Sequence, residues 1–347
     1  MTDEPVLTAV REGHRFNEAA LSAYLGKQLH KEIGGLKVRQ FEGGQSNPTF
    51  LLEAEAGCWV LRKKPPGKLL PSAHAVEREY RVMRALRGSA VPVPKMELLC
   101  DDETVIGTPF FLMEHVPGRV VADPSLPGMS AAERTTLYHH FSEILAALHG
   151  LDYKGLGLED FGRAGNYYSR QIARWSGQYR ASMTEPIEAM DFLMEWLPGN
   201  LPKVEETCLV HGDFRLGNCI LHPERPRIAA VVDWELSTLG EPLADVAYAC
   251  LPYYYQFGKG EVRFPQNESG IPTVAAFLDG YRERTGNDPR PHWTFCVVFT
   301  LFRLAAIVQG VVKRGLQGNA SSAEWSLLSR ECRNMAERAM RLVETGL

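Results

Sequence analysis

The sequence has few of the features that are typical of secreted proteins, of proteins with structural zinc sites or of nucleic-acid-binding proteins. Its seven cysteines occur singly and form neither a C-x-x-C pair nor a zinc-ligand spacing. An odd, scattered set favours reduced core thiols, so we expect a cytoplasmic protein. The formal net charge is only −4. That balance predicts no basic field for nucleic acid or for an anionic membrane surface.

Targeting and membrane signals are also missing. The opening residues, MTDEPVLTAV, have no basic region followed by an apolar run, so no signal peptide is expected. One long apolar stretch, residues 295–312, contains Arg303 and Gln309. A membrane-spanning helix tolerates such residues poorly, and the stretch is therefore interpreted as a buried helix of a large domain. With 347 residues, 45% of them hydrophobic, the chain can build two cores.

What the sequence does contain is a cluster of polar residues around two short apolar runs, in residues 210–235. Asp213 follows the first run and lies five residues before Asn218, and Asp233 comes fifteen residues after Asn218. Asp233 directly follows the second run, residues 228–232. Both runs are short and rich in Val, Ile or Leu, which is typical of buried strands. The two strands are expected to carry the three polar side chains to one place.

The spacing of these residues matches the catalytic loop and metal-binding Asp of protein kinases. His-Gly-Asp in place of His-Arg-Asp resembles the aminoglycoside phosphotransferase and choline kinase family. The resemblance implies that Asp213 accepts a proton from a small-molecule hydroxyl substrate. It further implies that Asn218 and Asp233 bind Mg²⁺ and that ATP is the phosphoryl donor. The implied fold is α+β and bilobal, with a small antiparallel β-sheet lobe carrying helices and a larger, mainly helical C-terminal lobe.

The N-terminal part predicts a three-stranded antiparallel meander over residues 36–61, with Gly43-Gly44 in its first turn. By itself this is a hairpin turn. In a kinase-like frame it becomes a loop covering phosphates, because glycine lets the backbone approach closely. The backbone N–H groups that would face phosphate oxygens follow the two glycines and belong to Gln45, Ser46 and Asn47.

The third strand of this meander should supply a cation for the phosphates. Strand alternation places Arg62 and Lys63 on opposite faces, and position favours Arg62, where kinases usually have Lys. Residues 73–88 predict a helix. By resemblance to kinases, Glu79 on that helix should pair with the cation, with Glu77 as the reserve.

An inter-lobe hinge is predicted in MEHVPGRV, residues 113–120, where an apolar strand runs into a Pro-Gly turn. The resemblance implies that the backbone near Glu114 and Val116 binds adenine. The chain is accordingly divided into a nucleotide-binding lobe, residues 1–115, and a catalytic and substrate-binding lobe, residues 116–347.

The second lobe is predicted to be helical, and Ser130 with Glu133 forms a capping box at the start of its first helix. The predicted helices are 132–149, 161–181, 187–201, 272–285, 291–314 and 322–345. Residues 251–270 are rich in Tyr, Gly and charge and are expected to form a mobile substrate loop.

One more motif completes the resemblance. Gly240, Pro242 and Asp245 match the family's G-x-P-x-x-D, in which the Asp anchors the catalytic loop. Glu235, two residues after Asp233, is placed to help with either metal or substrate.

Three phrases, VLRKKPPG, RQIARW and VVDWE, look closest to a subgroup associated with acyl-CoA dehydrogenases. That subgroup is linked to phosphorylation of hydroxyacyl-CoA, so such an acceptor and an association with an acyl-CoA dehydrogenase are implied. An aminoglycoside kinase, another small-alcohol kinase and a nucleotide-binding pseudokinase remain alternatives.

Overall fold

The structure is a computed structural model that describes residues 6–42, 47–65, 74–203, 206–258, 264–265, 268–316 and 322–346. The strands in these residues are β1 (Leu7–Thr8), β2 (Lys37–Phe41), β3 (Thr49–Ala54), β4 (Gly57–Lys63), β5 (Met96–Cys100), β6 (Phe110–Glu114), β7 (Arg119–Val120), β8 (Cys208–Val210), β9 (Cys219–Leu221), β10 (Ile228–Val231) and β11 (Thr238–Gly240). The α-helices are α1 (Glu18–Leu29), α2 (Val76–Ala85), α3 (Glu103–Ile106), α4 (Ala131–His149), α5 (Tyr167–Ser182), α6 (Glu188–Gly199), α7 (Pro242–Ala249), α8 (Val274–Thr285), α9 (Trp293–Arg314) and α10 (Ser322–Thr345).

The chain forms two compact units. The first comprises Met1–Asp123, Lys154–Leu158 and Leu216–Ser237, and the second comprises Pro124–Tyr153, Glu159–Arg215 and Thr238–Leu347. The chain therefore passes between the units several times. The division into lobes at residues 115 and 116 stays a prediction.

A six-stranded sheet in the order β1-β2-β3-β4-β6-β5 dominates the first unit, and every neighbouring pair is antiparallel. The predicted meander forms its centre as β2, β3 and β4. The core lies on one face, where Leu21 and Leu25 of α1 pack with alternate strand residues such as Phe50 and Leu61. Asn17 caps α1 by accepting a hydrogen bond from the Ala20 N–H at 3.0 Å.

A second, smaller sheet in this unit has the order β10-β9-β7. Strand β9 begins immediately after Asn218 and was not anticipated from the sequence. It pairs with β10, Cys219 opposite Val231, and so joins the two segments that carry Asn218 and Asp233.

The second unit is built mainly from helices, with β8 and β11 paired antiparallel. The predicted capping box of α4 is confirmed: the Glu133 N–H donates to Ser130 Oγ at 3.3 Å and the Ser130 N–H to Glu133 Oε2 at 2.8 Å. Helix α9 packs against α5, α7 and α10. By length and composition the stretch Arg290–Arg314 could cross a membrane, but 83% of its most apolar window is buried in the protein, as expected of a core helix.

Two helices differ from their predicted extents. Helix α2 spans fewer residues than 73–88. Helix α5 begins at Tyr167 rather than at residue 161. The preceding segment runs close to β11, where only a glycine fits at position 162: a Cβ there would lie 2.6 Å from the Leu239 nitrogen.

Candidate active site

Arg62, near the end of β4, is buried among carboxylates of the first unit. Its Nε lies 3.3 Å from Glu79 Oε2, and its Nη2 lies 2.8 Å from Asp233 Oδ1 and 3.5 Å from Glu235 Oε2. Burial disfavours the charged guanidinium, but the three carboxylates outweigh burial and raise the pKa of Arg62. One cation is thus shared by three acids, which leaves the cluster with excess negative charge.

Glu79 is the least solvated member of this cluster, with 1% of its surface exposed. Asn47 Nδ2 donates to its Oε1 at 2.8 Å, and His74 Nδ1 lies 3.2 Å from Asn47 Oδ1. The contact with Arg62 is Coulombic, since neither Arg62 Nε nor Glu79 Oε2 has a hydrogen-bond partner of good geometry. Burial raises the pKa of Glu79 to about 7, although Arg62 and the Asn47 hydrogen bond act in the opposite direction.

The reserve residues lie elsewhere. Lys63 points to the opposite face of the sheet, where its Nζ is 5.4 Å from the centroid of the Phe16 ring, and burial lowers the pKa of Lys63. Glu77 is more exposed and pairs with Lys64 at 3.0 Å. The structure therefore brings together Arg62 and Glu79, as strand alternation favoured. Their contacts with a nucleotide stay a prediction.

Asn218 and Asp233 are brought together by the backbone. The Val232 N–H donates to the Asn218 carbonyl oxygen at 2.9 Å, next to the β9–β10 pairing. Asp233 has left-handed backbone angles, φ 69° and ψ 55°, which an Asp adopts at a modest cost. A carboxylate and an amide oxygen at one strand end suit Mg²⁺, which prefers oxygen ligands and keeps positions for phosphates and water. Within the described ranges, no three His, Cys, Asp or Glu side chains converge as a ready-made metal site.

Asp213 lies in the loop after β8, in the second unit. Arg215 Nε is 3.5 Å from its Oδ1, and the Tyr248 hydroxyl is hydrogen-bonded to it. Burial, followed by the charge and the hydrogen bond of Asp213, raises the pKa of Tyr248, which keeps this phenol a donor.

The backbone of this loop is fixed by Asp245, near the start of α7. Its carboxylate accepts the His211 N–H at 2.6 Å and the Gly212 N–H at 2.8 Å. Gly212 adopts φ 83°, a conformation that glycine takes without steric cost. Burial opposes ionisation of Asp245, but the hydrogen bond and charge of His149 and the backbone bonds lower its pKa overall.

The predicted hinge follows β6. The Glu114 N–H donates to the Lys95 carbonyl at 2.9 Å, and Glu114 Oε1 accepts the Lys95 N–H at the same distance. Val116 lies between β6 and β7. Binding of adenine by this segment stays a prediction.

Some predicted residues lie outside the described part of the chain: Gly43, Gly44, Gln45 and Ser46 of the phosphate-covering loop, and parts of the predicted substrate loop 251–270. Asn47, at the end of the first loop, is described and fully buried.

Sequence reasoning missed several residues around these loops. Tyr248 and His149 gave no signal, because a Tyr in a helix and a His at a helix end are ordinary. Arg303 did give one: it is a charge inside an apolar run. In the structure its Nη2 donates to the Gly212 carbonyl at 2.6 Å.

The sequence containing these residues matches a known protein family. Residues 37–293 match the model of the phosphotransferase enzyme family APH. The chain belongs to this family. The match extends from β2 through the Asp213 loop to the start of α9, and so covers parts of both units of this phosphotransferase.

Curated relatives of this chain are named as members of the acyl-CoA dehydrogenase family. The chain is 45% identical over 340 residues to acyl-CoA dehydrogenase family member 10 of Mus musculus, covering 96% of the chain and 32% of that protein. It is 42% identical over 352 residues to family member 11 of Homo sapiens, covering 98% of the chain and 45% of that protein. The chain thus spans less than half the length of these curated relatives.

Solved structures confirm the predicted kinase-like fold, with its small antiparallel sheet lobe and mainly helical lobe. A provisionally named aminoglycoside phosphotransferase from Ralstonia eutropha JMP134 is 45% identical, with a TM-score of 0.85 and coverage of 95% of this chain and 99% of that one. Aminoglycoside phosphotransferase APH(4)-Ia, in complex with ADP and hygromycin B, is 16% identical, with a TM-score of 0.60 and coverage of 92% and 98%. At that identity the likeness concerns the fold alone.

Proposed function

We propose that this phosphotransferase is a magnesium- and ATP-dependent kinase that transfers the γ-phosphoryl group to a hydroxyl of a small molecule. The observation that carries the proposal is the cluster of Arg62, Glu79 and Asp233, in which Arg62 and Glu79 are buried. Asn218 is held beside Asp233. A cation for phosphates next to oxygen ligands for Mg²⁺ is what phosphoryl transfer requires. Membership of the APH family supports the same reaction class.

Each residue of the site has a role in this proposal. Arg62 would hold phosphate oxygens, since a guanidinium binds two oxygens at once. Glu79 and Asn47 would fix Arg62 and the end of the phosphate-covering loop. Asn218 and Asp233 would hold Mg²⁺, which neutralises phosphate charge when bound.

Asp213 would accept the proton of the acceptor hydroxyl. Hydrogen bonding by Tyr248 and the charge of Arg215 would orient its carboxylate. Asp245 would hold the backbone of this loop at His211 and Gly212, so that Asp213 keeps its position during transfer. This is catalysis by positioning and charge rather than by a covalent intermediate.

For the acceptor we propose a hydroxyacyl-CoA, used by a cytoplasmic protein that associates with an acyl-CoA dehydrogenase. The proposal rests on the relatives whose names contain acyl-CoA dehydrogenase and on the weak net charge of −4. An enzyme for aminoglycosides, which are polycations, would benefit from a strongly acidic surface.

The test is a side-by-side transfer assay with radiolabelled ATP or GTP and Mg²⁺. Acceptors are 3- and 4-hydroxyacyl-CoA compounds and kanamycin-type aminoglycosides. We expect ATP-dependent labelling of a hydroxyacyl-CoA. Labelling of an aminoglycoside alone would contradict the acceptor and leave the kinase proposal intact. Tight nucleotide binding with no transfer to any acceptor would favour the pseudokinase alternative.

A further inference from the structure

Arg303 is a buried cation that forms no ion pair with any residue that the structure describes. It lies in the middle of α9 with 5% of its surface exposed. Among the described residues, no Asp or Glu comes within the 4 Å of an ion pair with it, and its Nε has no hydrogen-bond partner. Its one hydrogen bond goes from Nη2 to the Gly212 carbonyl. Burying a guanidinium without a counter-ion costs several kcal/mol, on the order of the penalty for one desolvated ion. A single hydrogen bond to the Gly212 carbonyl does not offset that cost.

A second arginine shares its surroundings. The guanidinium carbon of Arg174, on α5, lies 5.0 Å from the centroid of the Trp175 ring, and that of Arg303 lies 5.8 Å from the same centroid. Burial and then the charge of Arg303 lower the pKa of Arg174, and the opposing effect comes from Tyr167 rather than from a carboxylate. The two like charges therefore repel each other across one indole.

Arg303 adjoins the loop that carries Asp213. Arg303 donates to Gly212, the residue before Asp213. Its guanidinium carbon also lies 5.9 Å from the ring centroid of Tyr248, whose hydroxyl is hydrogen-bonded to Asp213. All of these groups belong to the second unit. A buried guanidinium thus lies next to the proposed catalytic base, on the same Gly212 whose N–H is bound by the carboxylate of Asp245.

The geometry points to an anion-binding subsite formed by Arg174 and Arg303, which takes a phosphate or carboxylate group of the acceptor. Guanidinium groups pair with both kinds of oxyanion in bidentate fashion. An anion that contacts both guanidinium groups beside the indole would relieve their repulsion. It would also accept hydrogen bonds from the N–H groups of Arg303 that do not bind Gly212. The inference rests on the proposed function in one respect, namely that the bound anion belongs to the acceptor.

Binding is tested by calorimetry on the full chain, with AMP-PNP and Mg²⁺ present to occupy the nucleotide site. Three probes separate the sources of the anion: coenzyme A carries phosphates, 3-hydroxybutyrate carries a carboxylate, and pantetheine carries neither. The variant is Arg174→Ala, since Arg174 is the more exposed of the two arginines and its loss should not unfold the chain. Arg180→Ala, an exposed arginine on the same helix, is the matched control.

We expect Arg174→Ala to raise the Kd of one anionic probe about tenfold, as for loss of a charged hydrogen bond, and to leave pantetheine unchanged. Arg180→Ala should bind every probe as the parent does. Arg303→Lys should keep more of this affinity than Arg303→Met. Equal affinities of Arg174→Ala and Arg180→Ala for both anions would overturn the subsite. Because no transfer is measured, a chain that binds coenzyme A through Arg174 yet phosphorylates nothing would contradict the proposed function and not the subsite.

Discussion

The guanidinium of Arg62 donates a 2.8 Å hydrogen bond to the carboxylate of Asp233, a residue 171 positions later in the chain. The proposed phosphate-binding cation and the proposed metal ligand are therefore partners of each other. Binding of magnesium and nucleotide would have to redistribute these charges, with phosphate oxygens taking over Arg62 as Asp233 turns to the metal. Nucleotide and metal are accordingly expected to bind together.

Removing the metal ligand tests this coupling. Asp233→Ala should lose most nucleotide affinity in Mg²⁺ and change little in EDTA, because the carboxylate acts through the ion. Glu235→Ala is the comparison, since Glu235 lies farther from Arg62, at 3.5 Å. Nucleotide titrations of the two variants, with and without EDTA, measure these affinities. If Asp233→Ala binds Mg-ATP as tightly as the parent, the metal assignment is wrong.

The pairing of Arg62 with Glu79 predicts non-additive effects. Arg62→Ala and Glu79→Ala should each lower kcat/KM for ATP, and the double variant should cost less than the sum, with a coupling on the order of 1–3 kcal/mol. The exposed pair Arg39–Glu53, at 2.8 Å on the same sheet, is the control cycle and should couple by less than about 1 kcal/mol. Additive losses at Arg62 and Glu79 would mean that the pair does not act as a unit.

The raised pKa of Glu79 predicts a pH dependence of stability. Its carboxyl has an ordinary pKa of 4.5 and a folded value of about 7, so the folded chain holds an extra proton between these values. The free energy of unfolding should therefore fall as pH rises from about 4.5 to 7, by up to roughly 3 kcal/mol from this group. The measurement is thermal unfolding from pH 5 to 8. Glu79→Gln should remove the fall in the free energy of unfolding that this carboxyl causes. The exposed Glu77→Gln, on the same helix, should leave it in place.

Asp245 should be essential for stability as well as for transfer. Asp245→Ala leaves the buried His211 and Gly212 N–H groups without their acceptor, which should cost roughly 3 kcal/mol or more in the free energy of unfolding. Because the pKa of Asp245 is lowered, its contribution is present above the ordinary pKa and is lost as pH falls below it. Urea unfolding measures the loss, with the exposed Asp191→Ala as the control. A loss under 1 kcal/mol would show that the loop does not depend on this anchor.

Local patterns predicted much of this arrangement. Alternation along β4 placed Arg62 and Lys63 on opposite faces, and the capping box located the start of α4, because both depend on neighbouring residues. The position of β6 between β4 and β5 could not be predicted in the same way, since strand order depends on long-range pairing. The bond from Arg303 to Gly212 joins residues 91 positions apart, and no local pattern specifies its partner.

Asp213→Asn decides whether this chain transfers phosphate with Asp213 as the base. The measurement is transfer from radiolabelled ATP to the best hydroxyl acceptor, made alongside Mg-ATP binding by the same preparations. Asp213→Asn should bind Mg-ATP as the parent does and lose transfer by about a hundredfold or more. If Asp213→Asn transfers phosphate at the parental rate, Asp213 is not the base.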